Sequence, residues 1–214
     1  MSFVFFRPVG VVLSAKNSLL PTRTDHRGAR GFSLIELLVV LAIAAVLLGI
    51  GIPNMQSFIV SSRLSSASNE FFTALNVARS EAVRRGVQVT LATNGTPGSR
   101  DFTAGWTMFV DTDRDGALSA GEEVLRVGPA LEGPMTMFGS ANFGTSVSFD
   151  STGRLTSGGG SFVICHGTDL VADGQVRSRA LVLNSAGRAR VAFDSNGDLI
   201  PETDTGAVPN CTNS

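Results

Sequence analysis

The sequence predicts an α+β protein in which a long N-terminal helix packs on an antiparallel, β-rich head. Two observations lead to this prediction. From Leu37 to Ile52 the chain has neither a polar side chain nor a proline, and an amphipathic stretch follows. After residue 86, glycine-rich turns separate short segments in which apolar and polar residues alternate, a pattern typical of β-hairpins.

The apolar segment is long enough to cross a lipid bilayer. Counted from Phe32 to Pro53, it has about the 20 residues that a membrane-spanning helix needs. Glu36 lies inside it, where an unpaired charge costs at least ~2.5 kcal/mol. We therefore expect Glu36 to have a partner. The alternative is a plain single-pass anchor with an incidental glutamate.

The junction before this segment indicates what the partner is. A basic patch precedes Gly31-Phe32-Ser33-Leu34-Ile35-Glu36, and no cleavage site of the secretory kind follows the apolar core. From Arg30 to Pro53 the chain resembles type IV prepilins and the related pseudopilins. The resemblance implies that a prepilin peptidase cuts after Gly31 and that Phe32 becomes N-methylated. It also implies that Glu36 neutralises the terminal amine of a neighbouring subunit during assembly.

With this resemblance, the sequence predicts four parts of the chain. Residues 1–31 would be the cleaved leader, 32–53 the transmembrane and assembly helix, 54–86 the amphipathic helix, and 87–214 the β-rich head with its C-terminal tail. The resemblance implies a single span in the inner membrane, with the head in the periplasm, and transfer into a pilus or pseudopilus. The implied partners are the prepilin peptidase, the inner membrane and other pilins or pseudopilins.

The amphipathic half should pack one face on the head. Its apolar residues recur at spacings of three and four, Pro53 should kink the helix and Gly86 should end it. Residues 78–85 resemble the helix end of the FimT and GspH type of minor pilin and pseudopilin, and we interpret Arg84 and Arg85 structurally. The predicted apolar face contains Met55, Phe58, Ile59, Leu64, Phe71, Leu75, Ala78 and Ala82.

Short strands should follow the helix in succession. Three of the turns between them share the pattern apolar-Asx-Ser-x-Gly, at 149–153, 183–187 and 193–197, in which the Asx side chain caps its own backbone. The predicted strands are Val87–Ala92, Trp106–Val110, Glu123–Val127, Met135–Phe138, Val147–Phe149, Phe162–Cys165, Ala180–Leu183 and Ala189–Phe193.

Charge and cysteine content narrow the classes of function. Removing residues 1–31 removes five of the 17 basic and one of the 18 acidic residues, which leaves 12 against 17 and a net charge of −5. This balance argues against a protein that coats nucleic acid generally. Cys165 and Cys211 predict one disulfide outside the cytoplasm, with two free thiols as the alternative. His166 has no ligand partner at zinc spacing and is more consistent with a structural role.

A loop of 12 residues from Asp111 to Glu122 matches the calcium-binding pattern of an EF-hand. Asp111, Asp113, Asp115 and Glu122 would supply the oxygen ligands. The flanking segments predict strands rather than the helices of an EF-hand, so a β-hairpin loop without calcium is the alternative. No other metal or cofactor is expected. The sequence shows no nucleophile–base pair and no phosphate-binding loop, so we do not expect an enzyme.

The C-terminal half contains an arginine cluster. Between Gly174 and Phe193 there are four arginines and no acidic residue, and we expect several of them to gather along one hairpin, where they could bind DNA phosphates. The alternative is a solvated edge strand. The Gly-Arg-x-Arg sequence beginning at Gly187 resembles a motif of FimT-type minor pilins, which implies DNA capture in natural transformation. The candidate residues are Arg177, Arg179, Gly187, Arg188 and Arg190.

Two functions remain open at this point. The first is a minor pilin of a type IV pilus that binds DNA non-specifically for uptake. The second is an H-type minor pseudopilin of a type II secretion system, with a structural role. A plain single-pass membrane protein with a β ectodomain is a third class, which requires that Gly31 is not cut.

Overall fold

The computed structural model describes residues 31–172, 174–203, 206–207 and 210–211, with the main chain alone described at 50–54 and 206–207. The leader predicted at 1–31 therefore lies outside the described residues except for Gly31. From Val46 onward the described residues form one compact unit.

A single helix, α1, runs from Leu34 to Arg85. Ser33 caps its start, since the Ser33 hydroxyl oxygen accepts a hydrogen bond of 3.2 Å from the Glu36 N–H. Gly86 follows its end with φ +69°, and the Gly86 N–H donates to the Ala82 carbonyl at 2.9 Å. The sequence thus predicted the end of the helix correctly, because glycine reaches this left-handed conformation without strain.

The first turns of α1 expose their apolar side chains. Every large apolar residue from Phe32 to Leu48 has an exposed fraction between 52% and 81%. Within the part of the chain that the structure describes, no helix combines the length and the apolar character that a membrane crossing requires. The predicted span at 32–53 includes positions whose side chains are not described, and it stays a prediction.

The head contains twelve described strands, and every pairing between them is antiparallel. The eight predicted strands are present, with ends that differ by up to two residues. The four additional strands are only two residues long. The strands are β1 Val89–Thr93, β2 Trp106–Val110, β3 Val124–Gly128, β4 Met135–Gly139, β5 Ser146–Phe149, β6 Gly160–His166, β7 Val171–Ala172, β8 Gln175–Val176, β9 Ser178–Leu183, β10 Ala189–Val191, β11 Glu202–Thr203 and β12 Gly206–Ala207.

Two four-stranded sheets make up most of the head. The first has the order β3-β2-β1-β5, and the second has the order β10-β9-β6-β4. β1 therefore pairs with β5 across a long connection, and β4 pairs with β6, so only some neighbours are the simple hairpins that the sequence predicts. β7 pairs with β8 and β11 with β12 in separate two-stranded ribbons.

The main core joins the helix to both sheets. Phe71 lies at its centre, with ring centroids 4.7 Å from Phe162, 6.0 Å from Phe102 and 6.1 Å from Trp106. The helix contributes small residues on either side of Phe71, and their size allows the sheets to approach closely. The buried helix residues of this core are Leu64, Phe71, Ala74, Leu75, Ala78 and Ala82.

The apolar face predicted for the helix is correct only from Leu64 onward. Met55, Phe58 and Ile59 are 64%, 71% and 45% exposed, although their spacing matches that of the buried residues. The physical reason is that the described part of the head packs on the helix only from about Val60, and the periodicity of a helix does not reveal where its partner ends.

The second sheet is buried on both faces. On one face Phe162, Ile164 and Leu181 belong to the main core, while on the other Ala180 and Val182 form a smaller cluster with Ala192. Ile200, which follows β10 in the chain, packs against this smaller cluster. The Cys165–Cys211 disulfide, with Cα atoms 5.8 Å apart, attaches the end of the described chain to β6. The disulfide prediction is confirmed and the alternative of free thiols is not.

Candidate functional site

The N-terminal segment presents the predicted processing residues to solvent. Phe32 is 81% exposed and Glu36 is also exposed. Among the residues from 31 onward that the structure describes, no cationic side chain pairs with the Glu36 carboxylate. A partner for Glu36 outside the described chain is consistent with this arrangement.

The β9–β10 hairpin forms across the predicted Asn184–Gly187 turn, but it does not gather all of the predicted arginines. Arg190 lies opposite Val182 in the register, so both side chains are on the face of the smaller cluster. Arg179 alternates with Leu181 and is therefore on the face of the main core. Arg179 is therefore on the opposite face of the sheet from Arg190, so the expected gathering of arginines along this hairpin is found only in part.

Arg177 is also separate from the hairpin. It lies between β8 and β9, where its N–H donates to the Leu170 carbonyl and its carbonyl accepts from the His166 N–H, both at 2.8 Å. These bonds make Arg177 part of the connection between strands. Arg188 and Arg190 remain together, since both are exposed and both line a shallow depression with Val182, Asn184 and Ala189.

The turn that carries Gly187 has a structural role that the sequence motif does not reveal. Gly187 has φ +76°, and a Cβ atom there would collide with the carbonyl oxygen of Gly153, in the first of the three repeated turns. The same Gly153 oxygen accepts a 2.9 Å hydrogen bond from Arg79 Nε. The glycine of the Gly-Arg-x-Arg sequence is therefore required for packing between two turns and the helix.

This packing also brings together residues that the sequence analysis missed. The Leu155 N–H donates to the Ser185 carbonyl at 3.2 Å, which holds the two turns side by side. Arg154 and Arg188 each follow the glycine of one of these turns. Because the two turns are in contact, the backbone segments that carry these arginines are neighbours. The repeat of the turn pattern was the available signal, but the sequence alone did not indicate that the repeats touch.

The three repeated turns have the Asx caps that the sequence predicts. The Thr152 hydroxyl donates to Asp150 Oδ1 at 2.6 Å, and this bond, with the backbone N–H groups of the turn, holds the pKa of Asp150 below its ordinary value. In the third turn the Gly197 N–H donates to Asp194 Oδ1 at 2.7 Å and has the largest part in lowering the pKa of Asp194. In the second turn Asn184 Oδ1 accepts from the Arg188 N–H at 3.0 Å.

The acidic loop at 111–122 connects β2 and β3, so it is a hairpin loop and not the interhelical loop of an EF-hand. One carboxylate oxygen from each of Asp111, Asp113 and Asp115 lies within 4.8 Å of the others. Glu122, which the sequence predicts as a fourth ligand, is not among the oxygens of this group.

Glu122 closes the loop instead. Its two carboxylate oxygens accept hydrogen bonds from the Ser119 N–H at 2.9 Å and the Thr112 N–H at 2.7 Å. The Ser119 bond, followed by the Thr112 bonds, lowers the pKa of Glu122. The antiparallel strands bring the two ends of the loop together. Both Glu122 oxygens are therefore used in hydrogen bonds to the backbone of the loop.

The helix and the antiparallel head, together with the apolar N-terminal segment, define a pilin-like subunit. The model of the family described as "Type II transport protein GspH" matches residues 67–187, and that of the "Prokaryotic N-terminal methylation motif" matches residues 26–52. The chain belongs to the GspH family of pilins and pseudopilins. Membership indicates a pilin-like structural protein and not an enzyme.

Individual relatives agree with this family. A "Fimbrial protein" of Pseudomonas aeruginosa is 30% identical over 90 residues, which cover 42% of this chain and 56% of the relative. The "Pilin-like protein PilA1" of Thermus thermophilus is 35% identical over 97 residues, which cover 44% and 56%. The chain thus spans just over half the length of the curated relatives that it matches.

A solved structure of a minor pilin shares the fold of this chain. The type IV minor pilin FimU of Pseudomonas aeruginosa is similar with a TM-score of 0.54 and 23% identity, over 72% of this chain and 99% of FimU. The minor pseudopilin EpsH of the Vibrio cholerae type 2 secretion system has a TM-score of 0.42 and 13% identity, over 60% of this chain and 95% of EpsH.

Proposed function

We propose that this protein is a minor pilin of a type IV pilus whose head binds DNA through the end of the β9–β10 hairpin. The observation that carries the proposal is the position of Arg188 and Arg190. Both are exposed: Arg188 directly follows the turn, and Arg190 lies on β10 at the edge of a sheet. The segment from 174 to 193 that contains them has no acidic residue. The Asn184–Gly187 turn packs against the turn at Gly153, and this packing fixes the backbone from which both side chains extend.

The chemistry of this pair suits a phosphate backbone. Guanidinium groups donate paired hydrogen bonds to phosphate oxygens, and contacts of this kind do not depend on base sequence. Few contacts give weak binding, with a dissociation constant of about 10⁻⁴ to 10⁻⁶ M at physiological salt. Such binding would suit capture of DNA of any sequence for uptake in natural transformation.

Titration of labelled duplex DNA with the full chain should test this role. Arg188→Ala/Arg190→Ala should weaken binding at low salt and make the slope of log K against log salt shallower by about 1.8, since each lost phosphate contact removes about 0.9. Arg63→Ala/Arg100→Ala is the matched control, because it removes the same charge outside the hairpin. Circular dichroism should show that both variants fold.

Two results would contradict the proposal. One is a wild-type protein that fails to bind DNA even at low salt. The other is equal weakening by the two double variants, because a loss of total charge and not of a site would then explain it. Arg154→Ala, made separately, would show whether the neighbouring turn extends the same surface.

The N-terminal segment would connect this head to the filament. We infer that a prepilin peptidase cuts after Gly31, that Phe32 is then N-methylated, and that the 32–53 helix anchors the subunit in the inner membrane with its head in the periplasm. Glu36 is exposed and forms no ion pair with the residues that the structure describes, which supports a contact with the terminal amine of the next subunit. Opposite charges in an apolar surrounding attract strongly, so this pair would set the register of assembly.

Mass spectrometry of the protein from membranes should find a chain that begins at Phe32 and is heavier by one methyl group. A Gly31→Val variant should retain its leader, because a branched side chain at the cut would obstruct the peptidase. An intact leader in the wild-type protein would exclude the processing step and favour a plain membrane anchor.

A second candidate is an H-type minor pseudopilin of a type II secretion system. The specific observation in its favour is the family model, whose description names type II transport and which covers most of the head. In this role the arginines would be surface charge on an edge strand. Absence of DNA binding, together with loss of protein secretion when the gene is removed, would favour it.

A further inference from the structure

The acidic loop between β2 and β3 begins at a buried carboxylate, that of Asp111. Asp111 is 1% exposed, and its Oδ1 atom accepts no hydrogen bond from any residue that the structure describes. Its other oxygen, Oδ2, accepts three, from Thr90 Oγ1 at 2.7 Å, Gln88 Nε2 at 2.9 Å and the Gly116 N–H at 3.2 Å. The side chain is therefore held firmly by one oxygen while the other is left unsatisfied.

The unsatisfied oxygen of a buried carboxylate favours a nearby positive charge. Burying a carboxylate is strongly unfavourable unless it is paired or coordinates a metal. The ion pairs in the described part of the chain join Glu81 and Glu123 to Arg84 and Arg85, and none involves this loop. Protein groups that the structure describes thus leave Asp111 Oδ1 uncompensated.

The neighbouring aspartates are arranged to supply the other ligands of a cation. Asp113 Oδ1 accepts from the Asp115 N–H at 3.3 Å, and Asp115 Oδ1 accepts from the Ala117 N–H at 2.7 Å. In each case the loop fixes one oxygen and leaves the second without a hydrogen bond among the described residues. Three carboxylate oxygens, one from each aspartate, lie within 4.8 Å of one another.

We propose that Asp111, Asp113 and Asp115 bind a single Ca²⁺ ion in the β2–β3 loop. Calcium is the cation of choice because it takes six to eight oxygen ligands in a flexible geometry and accepts water for those that the protein does not supply. Three carboxylates from an exposed loop fit that requirement. Glu122 would act indirectly, since it holds the loop closed through the Ser119 and Thr112 N–H groups.

This site goes beyond the proposed role in a filament and does not depend on DNA binding. Weak extracellular calcium modules have dissociation constants of about 10⁻⁴ to 10⁻³ M, and a site with only three protein carboxylates should fall in this range. Bound calcium would tie the exposed loop to Asp111 at the end of β2, and so stiffen the edge of the first sheet.

Isothermal titration of the chelated full chain with CaCl₂ should show one site per chain, and calcium should raise its melting temperature. Asp113→Asn/Asp115→Asn should weaken binding at least ~10-fold and abolish the rise, because the affinity of such sites depends on the number of charged ligands. Both side chains are exposed, so this variant should keep the fold, which circular dichroism would verify.

Asp194→Asn/Asp198→Asn is the matched control. It removes the same charge from a second group of acidic residues, in which oxygens of Asp194, Asp198 and Glu202 also lie within 4.8 Å of one another. Calcium binding that is unchanged by this control and lost in the β2–β3 loop variant would support the proposal. Absence of binding at millimolar calcium, binding that persists in the loop variant, or binding that is lost only in the control would overturn it.

Discussion

Replacing Phe71 with alanine is expected to lower the free energy of unfolding of the head by about 3–5 kcal/mol. Phe71 is 2% exposed, and its ring lies edge-on to Trp106 of the first sheet and Phe162 of the second. Truncation would remove its apolar contacts and leave a cavity at the point where the helix meets both sheets. Backbone positions on three elements would have to move together to close that cavity.

Urea unfolding of the full chain, followed by circular dichroism, should measure this loss. Phe58→Ala is the control, because Phe58 lies on the same helix but is 71% exposed, and it should change the free energy of unfolding by no more than ~0.5 kcal/mol. Similar effects of the two substitutions would mean that the helix does not pack on the sheets through Phe71.

Removing the disulfide should also lower the free energy of unfolding substantially. Cys165 and Cys211 are 46 residues apart, and a cross-link that closes a loop of this length stabilises by about 4 kcal/mol in the chain-entropy account. Cys165→Ala/Cys211→Ala should lower the free energy of unfolding by about 2–4 kcal/mol, as measured by urea unfolding. Alanine is preferred to serine, because both sites are buried and a hydroxyl group would need a partner there.

Reduction provides an independent control for this prediction. A reducing agent should destabilise the wild-type protein by a similar amount and leave the double alanine variant unchanged. If the variant proved as stable as the oxidised wild type, the cross-link would contribute little to the stability of the head, and this prediction would be wrong.

The sequence predicted the elements of this fold well, because their signals are local. β2 was predicted at its observed bounds since Gly105 precedes it and an acidic turn follows. The pairing of β1 with β5 was not predicted. Their contact depends on the core that Phe149 and Val89 share, and no local pattern encodes it.

In the candidate sites, too, features with a local sequence signal were predicted, and features that depend on contacts distant in the sequence were not. Arg188 and Arg190 lie beside one turn, as the sequence indicates, because they are two residues apart. Arg179 lies on the opposite face of the sheet from Arg190, which alternation within one strand could not show because it does not give the register of β9 with β10. Asp111, Asp113 and Asp115 converge as the motif predicts, whereas the role of Glu122 depends on the closure of the hairpin.

The burial of Trp106 gives the protein an optical reporter of its own. It is the only tryptophan, the chain has no tyrosine, and Arg126 covers its ring at 5.8 Å from the centroid. Fluorescence of the whole chain therefore comes from one side chain, which contacts the helix through Phe71 and lies 2% exposed. Any event that loosens the helix from the first sheet should shift that emission to the red, even where the strands themselves stay paired.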